Sequence, residues 1–282
     1  MILKKTKLLK INTPKIFRRV LRVLISLVIL YLFSLLFFYF KQERFFFNPK
    51  HLNKNYTFTF EQDFEELNIP VAENISLNAL LFKTKQLKKG VIVYYHGNAG
   101  AIHDWGKRAP LYLDNGYDIL FFDYRNYGKS DGEYCNTEEL LNDSQAIYNY
   151  TKQHYQEDTI VILGYSLGSG LATYVASKNN PKMLILNAPY FSWKVLIADE
   201  IAPPIPQYLI KYDIPTFSFI KNVKCPINIF YGTKDFLINP ETNTKKLRPL
   251  RPNNIQVFPI TDCGHNGLHI TKEYYDELKK VL

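Results

Sequence analysis

Cysteine is scarce in this chain. Cys135, Cys225 and Cys263 are its three cysteines, and none falls in a C-x-x-C pair or a metal-ligand spacing. A cysteine-built metal site is therefore excluded. Cys225 opens one expected strand and Cys263 follows the end of the next. If those strands are parallel neighbours, the sulfurs lie roughly 15 Å apart, too far for a disulfide. Three free thiols are expected, which leaves the compartment open. Internal repeats and low-complexity runs are also absent, so a repeat array is excluded. Acidic residues are missing from residues 1–22, which carry eight basic ones. Removing those eight from the 35 Lys and Arg leaves 27 against 26 Asp and Glu. The net charge of +9 thus sits in the N-terminal tail, and a basic nucleic-acid footprint on the remainder is excluded.

What is present begins with VLISLVILYLFSLLFFYF, residues 23–40, a run without a charge. It is just long enough to cross a hydrocarbon core. No small residues follow it, as a cleavable signal peptide requires, and it lacks the polar face of a buried core helix. The expected organisation is a basic cytoplasmic N-terminus at 1–22, a transmembrane signal-anchor at 23–40, a polar-aromatic connector at 41–56 and one α/β domain at 57–282. The basic flank favours an N-terminus kept inside, which puts the domain on the periplasmic or extracytoplasmic side. Lys41, Arg44 and Lys50 on the far flank weaken that bias.

Within the domain, alternating residues at 65–71 and 75–84 predict a hairpin. The continuous apolar run at 91–95 predicts a buried strand of a parallel sheet, and further strands are expected at 117–124, 159–163, 183–187, 227–231 and 255–259. Helices are expected at 104–115, 138–154, 169–177, 240–247 and 271–282. Alternation of strand and helix implies a mostly parallel sheet with helices on both faces. Residues 188–224 break the alternation with Pro189, Pro203, Pro204, Pro206 and Pro215 among aromatics. This segment reads as a short cap over a pocket or as a surface excursion packed on the sheet.

Four strand ends carry candidate chemistry. Gly164-Tyr165-Ser166-Leu167-Gly168 lies between a strand and a helix of small residues, the pattern of a nucleophile elbow. A serine hydroxyl needs a base, the base needs a carboxylate, and the tetrahedral intermediate needs donors. His265 follows strand 255–259 and Asp235 follows strand 227–231, giving the order Ser166, Asp235, His265. Asp199 and Asp213 are rival carboxylates. His265 with His269 at i, i+4 is a rival metal pair without a strong third ligand. His96-Gly97-Asn98-Ala99-Gly100 follows strand 91–95, and the backbone N–H groups of Asn98 and Leu167 are the expected oxyanion donors. His96 reads as a brace for that loop. Asp123 and Arg125 read as holding the loop 123–132, with Asp143 as a further brace.

Taken together, HGNAG (96–100), DYRNYGKSDG (123–132), GYSLG (164–168), GTKD (232–235) and Gly264-His265 resemble the α/β-hydrolase superfamily. The match is closest to single-pass membrane hydrolases of the α/β-hydrolase-domain type, a branch that also includes protein depalmitoylases. Asn126 departs from the glycine such loops often hold. The resemblance implies a serine hydrolase that cleaves carboxylic ester or thioester bonds through an acyl-enzyme, with no metal or organic cofactor. Its expected partners are the membrane and a small acyl ester, lipid or acylated substrate, not nucleic acid. Two other readings stay open: a catalytically silent binding module at the membrane, and a serine peptidase or amidase with the same triad.

Overall fold

The computed structural model describes residues 13–133, 136–202 and 205–282. Cys135, Pro203, Pro204 and residues 1–12 of the basic tail lie outside the described residues. The chain divides into two units, Met1–Gln42 and Glu43–Leu282.

The first unit is helix α1, Thr13–Lys41. Its stretch Lys15–Lys41 has 27 residues and is long and apolar enough to cross a membrane, at a length of about 40 Å. The helix begins before residue 23, inside the expected basic tail. Arg18, Arg19 and Arg22 are good helix formers, so charge there does not end the helix.

The second unit opens with α2, Glu43–Phe46, and β1, Asn48–Pro49. Residues 41–56 are expected as a connector; from Glu43 on they belong to this unit, and Asn48–Pro49 pair with Ala99–Gly100 in a separate two-stranded ladder. β2 (Phe64–Ala72) and β3 (Ile75–Phe82) form the hairpin, followed by β4 (Gly90–Tyr95), β5 (Ala99–Gly100) and β6 (Tyr117–Phe122). Then come β7 (Ile160–Tyr165), β8 (Met183–Asn187), β9 (Ile227–Gly232) and β10 (Ile255–Ile260). Among the described residues the main sheet has eight strands in the order β10-β9-β8-β7-β4-β6-β3-β2. β2 and β3 run antiparallel, and the other neighbours from β6 to β10 are parallel.

The expected helix at 104–115 is broken into α3 (Ile102–Trp105), a 3₁₀ turn and α4 (Ala109–Leu113). Gly106 sits at the break, where a Cβ would lie 2.7 Å from the Phe60 ring. Further on lie α5 (Thr137–His154), α6 (Leu167–Lys178), α7 (Trp193–Leu196) and α8 (Thr216–Phe219). α9 (Thr244–Leu247) and α10 (Lys272–Val281) complete the series. α9 is half the expected 240–247 helix: Asn243, just before it, stands outside helical geometry at φ −119° and ψ −84°, its side chain bound to Glu200 and the Phe191 N–H.

The sheet buries both faces. Ile92 and Tyr94 of β4 pack in one core with Tyr112 of α4 and Leu278 of α10. The next residue, Tyr95, points the other way and donates its hydroxyl to Ser144 O of α5 at 2.9 Å. Tyr95 pairs with Gly164, Tyr165 with Asn187, Asn187 with Phe230, and Phe230 with Phe258. This register brings the ends of β4, β7, β9 and β10 to one rim. Cys225 and Cys263 flank the parallel pair β9–β10 and are both free, buried thiols. Burial pushes the Cys225 thiol up to about 11.

Candidate active site

β7 turns into α6 through a single residue, Ser166, at φ 52° and ψ −118°. A non-glycine residue seldom adopts this left-handed φ, so the turn stores strain. Its flanks admit no side chains. A Cβ on Gly168 would lie 2.0 Å from Tyr95 O, and one on Gly164 would lie 2.5 Å from Gly168 O. The turn is thus as tight as backbone contact permits, and it lifts Ser166 above the sheet.

Asp235 follows β9. Its Oδ1 accepts the N–H groups of Leu237 and Ile238 at 3.0 and 2.9 Å. Its Oδ2 lies 2.7 Å from Nδ1 of His265, which follows β10. The Lys234 N–H donates to Cys263 O at 2.9 Å and ties the two loops together. Tyr165, next to Ser166, donates its hydroxyl to His265 O. The His265 Nε2 then lies 3.0 Å from Ser166 Oγ. A carboxylate facing Nδ1 calls for the proton on that nitrogen, leaving Nε2 as the acceptor for the serine hydroxyl. The rival carboxylates are engaged elsewhere: Asp199 with Gln207 and Asp213 with Lys194.

The loop 96–100 lies beside the serine, since a Cβ on Gly97 would sit 3.6 Å from Ser166 Cβ. Leu167 opens α6, where the first N–H groups lack intrahelical acceptors. His96 is fully buried. Its Nδ1 contacts Gly97 O at 2.7 Å, its Nε2 is 3.4 Å from Asp123 Oδ1, and its ring stacks on Trp105. Burial raises the Asp123 carboxyl pKa against the opposing pull of His96. Asp123 Oδ1 also accepts the Ile102 N–H, which joins the two loops. Arg125 makes a two-pronged bond to Asp143 at 2.7 and 2.8 Å, securing the 123–132 loop to α5. Asn126 stands at φ 66°, which explains the glycine common at this position in similar loops. Asn126→Val is expected to lower stability by about 1–2 kcal/mol in a urea melt, because a β-branched residue resists this conformation.

His269 does not join His265. Its Nε2 lies 3.5 Å from the Arg108 guanidinium, and both nitrogens of His265 already face Asp235 and Ser166. Burial and then Arg108 lower the His269 pKa to about 4, from an ordinary 6.5. The unfolded chain therefore binds the extra proton between those values, and stability falls as pH drops through that window. His269→Asn is expected to flatten the melting-temperature profile between pH 6.5 and 4.

Among the described residues, the segment 188–224 buries some large side chains and exposes others, Tyr208 at 79%. Trp193, Ile214 and Ile220 are buried, and Tyr190 donates to Leu167 O at 3.2 Å. Residues that motif reading missed also fix this site: Tyr127, whose hydroxyl donates to Asn98 O at 2.7 Å, and Trp105, whose Nε1 donates to Ala99 O at 2.9 Å.

Comparison with known proteins bears on the fold. A family model described as alpha/beta hydrolase fold matches residues 90–203. A putative alpha/beta hydrolase, L404, of Acanthamoeba polyphaga mimivirus is 26% identical over 240 residues, 82% of this chain and 85% of that one. The lysophosphatidylserine lipase ABHD12 of Danio rerio is 26% identical over 207 residues, 64% of this chain and 53% of the lipase. The chain thus spans about half the length of that relative. The Pyrococcus furiosus esterase Pf2001 superposes with a TM-score of 0.66 at 19% identity, covering 84% of this chain and 95% of the esterase. At that identity the likeness carries the fold.

Proposed function

We propose, from the premise that this chain is an α/β-hydrolase-fold protein, that it is a membrane-anchored serine hydrolase of carboxylic esters or thioesters. The observation that carries this reading is the relay from Asp235 Oδ2 through His265 to Ser166 Oγ, at 2.7 and 3.0 Å. In this reading Ser166 Oγ attacks the acyl carbonyl while its proton passes to His265 Nε2. The N–H groups of Asn98 and Leu167 stabilise the oxyanion. Collapse expels the alcohol or thiol, protonated by the His265 imidazolium, and leaves an acyl-serine. Water, deprotonated by His265, then releases the acid and restores Ser166. Asp235 holds the His265 tautomer and stabilises the imidazolium.

Exposed apolar side chains that follow Asp235 and His265 in sequence support an acyl-chain or lipid-like substrate. Phe236 and Leu237 directly follow Asp235, and Phe236 is 91% exposed. Ile270, five residues after His265, is 75% exposed. The lipase name of one relative and the esterase name of a structural neighbour point the same way. The helix within Thr13–Lys41 supplies the anchor, and the basic residues before it favour a domain on the extracytoplasmic side.

The test is a series of p-nitrophenyl esters from acetate to decanoate. Each buried methylene contributes about 0.8 kcal/mol, so kcat/KM is expected to rise by about fourfold per added methylene until the chain outgrows its contacts. Phe236→Asp is expected to flatten that rise. A wild-type preference for acetate would overturn the apolar-substrate reading. A folded protein that turns over no ester would favour the silent binding module.

A further inference from the structure

We infer that residues 46–50 are a positioning strand for the oxyanion loop, so the segment that enters the domain is part of the catalytic apparatus. This inference rests on the acyl-transfer reading above. β1 pairs in parallel with β5, Asn48 against Ala99 and Pro49 against Gly100. The Asn48 N–H donates to Asn98 O at 2.9 Å, and the Lys50 N–H donates to Gly100 O at 2.9 Å. The Asn98 side chain donates from Nδ2 to Phe46 O at 3.0 Å. Asn98 is thus held at both its carbonyl and its side chain by residues 48 and 46. Those two restraints hold the Asn98 carbonyl plane and side chain, and with them the position of its backbone nitrogen.

The loop needs this support. Gly97 and Gly100 bracket Asn98, and Gly100 stands at φ 85°. Glycines leave such a loop free to turn its amides away from the serine. A two-residue ladder is weak alone, but this one is fastened on every side. The Gly128 N–H donates to Lys50 O and the Leu52 N–H to Gly128 O, each at 2.9 Å. Phe46 and Phe47 are buried, edge-on to Trp193 and Tyr212 of the 188–224 segment. The strand therefore joins three loops around the serine. Asn48 also lies only seven residues after Lys41, the last residue of α1. A cut or a pull on residues 43–50 acts on turnover, although none of them touches substrate.

The experiment uses the full chain in detergent micelles, with active sites titrated so that kcat counts only folded enzyme. Asn48→Pro removes the N–H that holds Asn98 O. It is expected to lower kcat on p-nitrophenyl butyrate about 10- to 100-fold with KM within twofold, less than the loss of a whole oxyanion donor. A second readout compares an aryl ester with its thionoester. Sulfur is larger and a poorer hydrogen-bond acceptor, so an ordered oxyanion hole prefers the oxygen ester. That preference is expected to fall at least threefold in Asn48→Pro, whereas a merely structural role would lower the melting temperature and leave the ratio alone. Asn98→Ala removes the side-chain bond to Phe46 O without touching the backbone N–H, and it decides the matter if Asn48→Pro does not fold. Its expected loss in kcat is threefold or more, with the same drop in oxygen preference. If the folded variants keep wild-type kcat and oxygen preference, the positioning role is wrong while the serine-hydrolase reading stands. If Ser166→Ala retains turnover in the same assay, that reading fails and takes this inference with it.

Discussion

Ser166→Ala is expected to lower kcat for ester hydrolysis by about 10⁴- to 10⁶-fold, the loss seen when a triad nucleophile is removed. KM should change little, because the oxyanion loop and the exposed apolar side chains still bind substrate. The fold should survive. Alanine keeps the Cβ that Ser166 already carries at φ 52°, so it adds no backbone strain to the turn. Nor does it leave a donor or acceptor stranded in a core, since the hydroxyl's hydrogen-bond partner is His265 at the rim. A variant with an unchanged melting temperature and no turnover would assign the lost chemistry to one oxygen atom. A serine that merely occupies a glycine-rich connection would give wild-type rates after the same change.

Asp235→Asn is the second large effect, about 10⁴-fold in kcat near neutral pH. The surrounding backbone dictates how the amide sits. The site of Oδ1 receives the N–H groups of Leu237 and Ile238 at 3.0 and 2.9 Å, so only an oxygen fits there. The amide NH₂ must then take the place of Oδ2, 2.7 Å from His265 Nδ1. A donor facing Nδ1 turns that nitrogen into an acceptor and moves the ring proton to Nε2. The imidazole would then present a proton to the Ser166 hydroxyl instead of receiving one. Steady-state kinetics with KM resolved from kcat checks this. A loss of less than tenfold would mean that Asp235 does not set the tautomer.

Much of this architecture was legible in the chain. The runs at 91–95, 160–163 and 183–186 are apolar throughout because both faces of a parallel sheet are covered, and each lies in a strand there. Ser166, Asp235 and His265 each follow a strand of that sheet, so their approach to one rim follows from topology. What sequence could not supply was tertiary. Nothing local in 48–50 announces a strand, because its partner is a two-residue ladder fifty positions away. The break at Gly106 lies four residues before Pro110, which has no N–H for the Gly106 carbonyl, and the Phe60 ring leaves no room there for a side chain. Tyr127 and Trp105 look like ordinary core aromatics until the acceptors of their polar ends are known.

The central claim is that Ser166 is a nucleophile activated by His265. The most direct measurement is covalent labelling with a fluorophosphonate probe, followed by peptide mapping by mass spectrometry. One adduct on the peptide carrying Ser166 is expected in the wild type, with none in Ser166→Ala and labelling slowed by at least a hundredfold in His265→Ala. Equal labelling of Ser166→Ala, or an adduct mapped to another residue in the wild type, would contradict the account.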